Sequence, residues 1–351
     1  MPKPRLSWLL VLLPVPPIAE FALDQHSVTF VTAAIVIIPL AGLIGRSTDQ
    51  LAIHAGPRIG GLLNATFGNV TELILSIFLI LQGDLEIVKA SLIGSIIGNL
   101  LLVLGLSLLV GGLRHTEQEF SVGAAGVHSS SLILAVTGLV MPAVFVLSAG
   151  HQPFVQREVV SVTVALVLMA LYAAALLFMF VTHEHLFRTP ESDEHAEWSV
   201  RRATGILLGS TAVVAVMADL LVRALEPTVE DLGMSKLFVG LVLIPIIGNA
   251  AEHGSAVLMA VRNKVDATLE IAIGSSVQIA LFVAPALVLI SLATSHRMDF
   301  VFDTFEVVAV ALATVIVSVI SQDGKSNWLE GAQLVGAYVI MAISFLFVQG
   351  G

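Results

Sequence analysis

The sequence predicts an all-α membrane protein of about eleven transmembrane helices, a leading helix followed by two inverted five-helix repeats. Three observations carry this. Hydrophobic residues make up 57% of the 351 and charged residues only 12%, with a mean hydropathy of +0.97, whereas an ordinary soluble domain carries about 25% charge. Eleven apolar runs approach the roughly 20 residues that cross a bilayer as helix. Blocks of small and polar residues recur 180 residues apart in the two halves. This composition excludes a soluble globular enzyme, a disordered chain and a nucleic-acid binder. The 28 glycines suit closely packed membrane helices, and the absence of cysteine excludes disulfides, thiolate metal sites and thiol nucleophiles.

The first run, about 6–23, follows Lys3 and Arg5 and is interrupted by Pro14, Pro16 and Pro17. No small-residue cleavage site follows it, so residues 1–27 read as an uncleaved leading helix rather than a signal peptide. The first repeat, 28–182, holds runs at about 28–45, 60–82, 87–112, 121–147 and 159–181. An acidic linker over 183–202 separates the halves. It holds Glu184, Glu191, Asp193, Glu194 and Glu197 with three histidines, which reads either as a solvated connection or as a cation-attracting, pH-sensing element. The second repeat, 203–351, holds runs at about 203–222, 237–261, 267–294, 305–320 and 330–348. Runs longer than 23 residues imply tilt. The alternation of barrel strands is absent from stretches such as 100–110.

Loop charges orient the chain. With the N-terminus inside, the inner side carries Lys3, Arg5, Arg46, Arg58, Arg114, Arg188, Arg201, Arg202, Arg262, Lys264 and Lys325. The outer side carries Lys89, Arg157, Arg223, Lys236 and Arg297, a ratio of 11 to 5 in the direction of the positive-inside rule. The expected location is a prokaryotic cell (inner) membrane with the N-terminus and the linker cytoplasmic. The lipid bilayer is the expected surrounding partner, nucleic acid is not one, and an oligomer is compatible with the sequence.

The repeat carries the chemistry. Residues 68–73 read GNVTEL and 248–253 read GNAAEH; residues 94–99 read GSIIGN and 274–279 read GSSVQI. Both pairs keep the 180-residue register. Five crossings reverse the direction of the second copy, and inverted repeats of this kind mark secondary transporters with a substrate site where the halves meet. Glu72 and Glu252 fall well inside apolar runs, where a charge costs at least roughly 2.5–3.5 kcal/mol and therefore faces a cavity or a partner. On helical spacing Glu72 shares a face with Gly68, Asn69 and Ser76, and Glu252 with Gly248, Asn249 and Ser255. Pro245 and the glycines are expected to loosen the helix there and free backbone carbonyls.

The following helices add Ser91, Gly94, Ser95, Gly98 and Asn99 in the first half and Glu270, Gly274, Ser275 and Gln278 in the second. The glycines alone also suit plain helix packing. Carboxylates, amide oxygens and carbonyls are hard donors that suit Ca²⁺, and Mn²⁺ or Cd²⁺ accept them too; softer metals prefer sulfur or several histidines. Glu72 and Glu252 are the metal ligands this reading selects, with Asn69, Asn249, Asn99, Gln278, Ser95 and Ser275 around them. His253 points about 100° away from Glu252 and is either a ligand or a support for one. Two like carboxylates without a counter-charge are costly in a dry site. One Ca²⁺ or protons neutralise them, and either neutral form could cross where the bare dianion could not. Coupled antiport follows without a separate device, no resident cofactor is called for, and the transported ions are Ca²⁺ and H⁺.

The stretches GRSTDQLAIHAGPRIGGLLNATFGNVTEL at 45–73, LVLIPIIGNAAEH at 241–253 and SQDGKSNWLEG at 321–331 resemble the calcium/proton antiporter (cation/H⁺ exchanger) family of the calcium/cation antiporter superfamily. The resemblance covers nearly the whole chain. It implies eleven helices, Glu72 and Glu252 as the central cation and proton ligands, and Asn99 and Gln278 as secondary polar groups. Asp49 and Asp219 stand where the family usually has Glu, one methylene longer, and are not counted as ligands. Ile279, the repeat mate of Asn99, is apolar where the sodium/calcium branch carries a polar or acidic ligand, which favours protons over Na⁺. A sodium/calcium exchanger is the nearest alternative, and a channel would lack obligatory proton countertransport. An intramembrane enzyme lacks support: HEH at 183–185 is not a zinc-binding HExxH, and no GxSxG is present. His128 in the fifth run is a candidate for a proton path, whereas Ser129–Ser131 read as bonded to their own backbone. Glu306 and Glu330 read as helix-start carboxylates.

Overall fold

A computed structural model describes residues 6–149, 153–183 and 196–347. Its helices are α1 (Ser7–Phe21), α2 (His26–Ala55), α3 (Pro57–Phe67), α4 (Val70–Gln82), α5 (Leu85–Gly112), α6 (Val122–Ala149), α7 (Phe154–Thr182), α8 (Val200–Leu232), α9 (Lys236–Val261), α10 (Val265–Ser291), α11 (Thr304–Ile320) and α12 (Trp328–Phe347). Eight of these are long and apolar enough to cross a membrane. Prolines in α1 sit in its first α-helical turn, where a missing N–H costs nothing. At α11, Asp303 and Glu306 form a reciprocal capping box, so Glu306 is a helix-start carboxylate. Glu330 accepts from the Asn327 N–H at 3.3 Å in the same kind of place.

The helices depart from the apolar runs in three ways. First, α2 continues to Ala55 and α8 to Leu232, about ten residues beyond the runs, and α2 starts before residue 28. In the α2 extension Gln50 Oε1 accepts from the Trp198 N–H at 2.9 Å and Asp49 lines a cavity, whereas Arg223, Glu226, Glu230 and Asp231 in the α8 extension are exposed. Second, the 60–82 run is two helices, α3 and α4, parted at Gly68–Asn69. Third, the linker gives up its last residues to α8, whose start is capped by the Ser199 side chain. Residues 184–195 of the linker lie outside the described residues, as do Lys3 and Arg5.

The long helices α2 and α8 pack along each other. Helices α5 and α10 form the centre, with 78% and 72% of their most apolar stretch buried, against 11% for α7 at the periphery. Both central helices widen into π turns, at Gly98–Val103 in α5 and at Glu270–Gly274 and Ile279–Val283 in α10; such turns gather at functional sites. A two-residue β1 (Gln118–Glu119) pairs antiparallel with β2 (Lys325–Ser326), Gln118 opposite Ser326. It ties the α5–α6 turn to the α11–α12 turn.

Candidate ion-binding site

The two GNxxE blocks meet at the centre. In the first, the chain breaks between α3 and α4, so Glu72 stands in the first turn of α4. In the second, residues 248–252 are regular helix and the loosening lies earlier, at the π turn Val239–Leu243 before Pro245. The expected loosening at the second motif is therefore displaced by about one turn, because Pro245 lacks the N–H that would bond back to Leu241. A Cβ added at Gly248 would touch Glu72 Cγ at 3.0 Å, and one at Gly68 would meet Glu252 Oε1 at 3.5 Å. Each glutamate thus lies over the other block's glycine, with the tighter approach at Gly248.

Glu72 is buried. Its Oε1 accepts from the Ser95 hydroxyl and from Asn249 Nδ2 at 2.5 Å. Glu252 Oε2 accepts from Ser275 Oγ at 2.9 Å. In both halves the serine lies 23 residues after its glutamate. Asn69 Nδ2 donates to Gln278 Oε1 at 2.8 Å. Two buried oxygens, Glu72 Oε2 and Asn69 Oδ1, have no partner among the described residues, and neither has Asn99 Nδ2. Oxygens taken out of water without a donor are costly, and a cation supplies what these two lack. No group of three or more His, Asp or Glu gathers among the described residues. A bound cation would therefore rest on two carboxylates completed by amide and backbone oxygens, a hard-donor set.

A cavity of about 1380 Å³ reaches this centre from one side. Its lining includes Asp49, His128, Glu252, Asp266, Glu270 and Gln278, but neither Glu72 nor Asn249. One glutamate is open to the cavity and the other lies behind it. Arg46 also lines it, and its guanidinium is held by Glu197 at 2.6 Å. His128 Nε2 lies 2.7 Å from Glu270 Oε2.

Seven of the residues singled out by sequence make hydrogen bonds here in three sets, Ser95–Glu72–Asn249, Ser275–Glu252 and Asn69–Gln278. Asn99 is buried on α5 outside these sets, and His253 lies outside the cavity lining. Ile279 is fully buried. Asp219 pairs with Arg223 on α8 at 2.8 Å. Of the serines expected to bond their own backbone, Ser130 does so at Val127 O, whereas Ser129 Oγ is buried without a hydrogen-bond partner among the described residues. Sequence reasoning missed the His128–Glu270 pair, the clasp on Trp198 (which Arg46 and Arg202 cover from within about 5 Å), and the anchor at Asp299. Asp299 takes Lys89 at 2.5 Å and Arg157 at 3.4 Å on the opposite side of the molecule. Apart from the local Arg202–Trp198 contact, these join residues more than 100 positions apart, which a single sequence does not reveal.

The family model for sodium/calcium exchanger protein matches the chain twice, over residues 26–181 and 202–347. The Ca²⁺/H⁺ antiporter ChaA of Bacillus subtilis is 46% identical over 328 residues, covering 92% of this chain and 93% of the relative. The Ca²⁺/H⁺ antiporter of Aphanothece halophytica is 44% identical over 340 residues, covering 92% and 91%. Among solved structures, native YfkE superimposes with a TM-score of 0.86 at 41% identity, covering 98% of this chain and all of that one. An H⁺/Ca²⁺ exchanger, CAX, has a TM-score of 0.75 at 16% identity and shares the fold.

Proposed function

Because the chain belongs to the sodium/calcium exchanger family, on its Ca²⁺/H⁺ antiporter branch, we propose that Glu72 and Glu252 form one site at which Ca²⁺ and protons compete. The protein is an integral membrane transporter, not an enzyme, and it exchanges Ca²⁺ for H⁺. The observation that carries the site is the meeting of the two glutamates across the two halves, with Glu72 Oε2 and Asn69 Oδ1 left without donors.

The electrostatics give the coupling. Two carboxylates so close, in a site with few donors, repel one another and lose hydration. Ca²⁺ binds by cancelling both charges; protons do the same and remove the reason for Ca²⁺ to stay. A site that crosses only when neutral carries Ca²⁺ one way and protons the other. The two halves act as inverted repeats that rock about the site, exposing Glu252 and then Glu72. Vesicles of purified protein with an acidic lumen should accumulate Ca²⁺, while a Na⁺ gradient at fixed pH should not drive uptake. Ile279, buried and apolar, offers no oxygen where a sodium ligand would stand. Na⁺-driven uptake indifferent to pH would overturn proton coupling and favour a sodium/calcium exchanger.

The cavity reaches Arg46 within α2 and Ser121 and Asp266 at helix ends, on the side that carries Arg114, Arg201, Arg202, Arg262 and Lys264. By the positive-inside rule this is the cytoplasmic face, so the cavity is inward-open. A Ser192→Cys variant reports on it cleanly, since the chain has no other thiol. In intact cells it should resist an impermeant maleimide and react after lysis; reaction in intact cells would invert the topology.

A further inference from the structure

The hydrogen bonds at the site are not two-fold symmetric, although the residues that make them are. Offset by 180, Glu72 pairs with Glu252, Ser95 with Ser275 and Asn69 with Asn249. Both serines bond their own half's glutamate. The asparagines differ. Asn249 reaches across to Glu72 Oε1 at 2.5 Å, while Asn69 turns away to Gln278 Oε1 at 2.8 Å. The difference follows access: Glu72, which the cavity does not reach, has the cross-half amide; Glu252, which lines it, does not. The repeat position of Gln278 is Gly98, which offers no side-chain carbonyl.

We propose that the two asparagines are exchanging amide donors, and that Gln278 is a positioning residue that holds Asn69 in the cavity-open state. When access passes to the other face, the halves trade environments. Glu252 becomes the occluded carboxylate and takes Asn69 as its cross-half donor, so the Asn69–Gln278 bond breaks. Asn249 leaves Glu72 and finds no acceptor at residue 98. The present state therefore has one amide pair that its counterpart lacks, and a contact made in only one of two states shifts their populations. The residue also keeps a donor off Glu252 while that carboxylate is open to incoming ions. This inference rests on the proposed two-glutamate site and on the inverted repeats.

The test reads the populations directly, with single cysteines at Ser255, Leu75 or Val88 of the whole protein, purified without Ca²⁺. Ser255 lines the cavity, and its repeat mate Leu75 is fully buried, so the Leu75→Cys thiol reports the other-facing state. Val88 and its mate Thr268 are both fully buried and report general loosening. Combined with Gln278→Met, Leu75→Cys should react with a maleimide about two- to tenfold faster, the factor that one net hydrogen bond sets, with Val88→Cys unchanged. Gly98→Gln supplies the missing acceptor at a buried glycine whose Cβ position has nothing within 4 Å, and should move the Leu75→Cys rate the same way; if Gln278→Met does not fold, this variant decides. An unchanged Leu75→Cys rate, or an equal rise at Val88→Cys, overturns the proposal. Exchange that persists in Glu72→Gln would instead overturn the site reading beneath it, whatever the labelling shows.

Discussion

Glu72→Gln and Glu252→Gln should each reduce Ca²⁺/H⁺ exchange to background in protein that still folds. Folding should survive because a glutamine side-chain oxygen can take over the bonds now made. At 72 it would accept from Ser95 and Asn249, and at 252 from Ser275. What is lost is one negative charge and one proton site. A Ca²⁺ ion would then leave the centre with a net positive charge among groups that have few other donors or acceptors. An uncompensated buried charge costs about 3–5 kcal/mol, and each 1.4 kcal/mol is about a factor of ten in binding, so affinity should fall by at least about a hundredfold. The two variants should fail alike, since every transport cycle uses both carboxylates. Glu330→Gln, at the start of α12, should retain exchange. In the wild type, protons and Ca²⁺ compete, so raising pH on the Ca²⁺-binding side removes the competitor and tightens apparent affinity. Each proton displaced contributes up to about tenfold per pH unit. Substantial exchange by either folded variant, or an affinity flat with pH over the active range, would count decisively against the shared site.

The fold was legible because membrane helices declare themselves by composition: a run near twenty apolar residues has few other uses. The site was legible because the GNxxE blocks repeat in register and place carboxylates where charge is expensive. The end of α2 was not, since Asp49 and Gln50 look like loop residues until the cavity and Trp198 are seen beside them. The break at Gly68–Asn69 against the continuous helix at 248–252 was hidden for another reason. The two blocks share the same glycine and asparagine, and Pro245, whose repeat position is Ala65, acts a turn earlier. Partner choice was invisible as well. Asn69 could as readily face Glu252 as Gln278 on helical spacing alone, and the 209 positions between Asn69 and Gln278 carry no signal of their contact.

Gly94→Val should cost the protein its folded state, and Gly94→Ala should lower its melting temperature and its transport together. A Cβ at Gly94 would overlap the Leu241 carbonyl oxygen and stand 2.6 Å from that residue's C and Cα. These are backbone atoms and cannot rotate aside. The contact is reciprocal, since a Cβ at Gly240 would lie 2.5 Å from Ala90 Cβ and 3.0 Å from Ile87 O. Helices α5 and α9 therefore touch backbone to backbone through Ala90, Gly94 and Gly240, the small-residue contact on which membrane helices rely in place of a hydrophobic drive. Overpacking by one methyl costs about 1–3 kcal/mol, and the two extra methyls of valine cost more. The lever also reaches the site. Asn249 stands eight residues past Leu241 on α9, about 12 Å along the axis, and Ser95 follows Gly94 directly on α5, so separating the helices pulls the Asn249 donor away from Glu72. Gly209→Ala is the matched control: that glycine is exposed on α8 with nothing near its Cβ position, and alanine there should be neutral or slightly stabilising. The readouts are the melting of detergent-solubilised protein and Ca²⁺ uptake by the fraction that stays monodisperse. If Gly94→Ala melts and transports like Gly209→Ala, the two backbones are not in contact, and the donor that reaches Glu72 from the other half is not held there by this crossing.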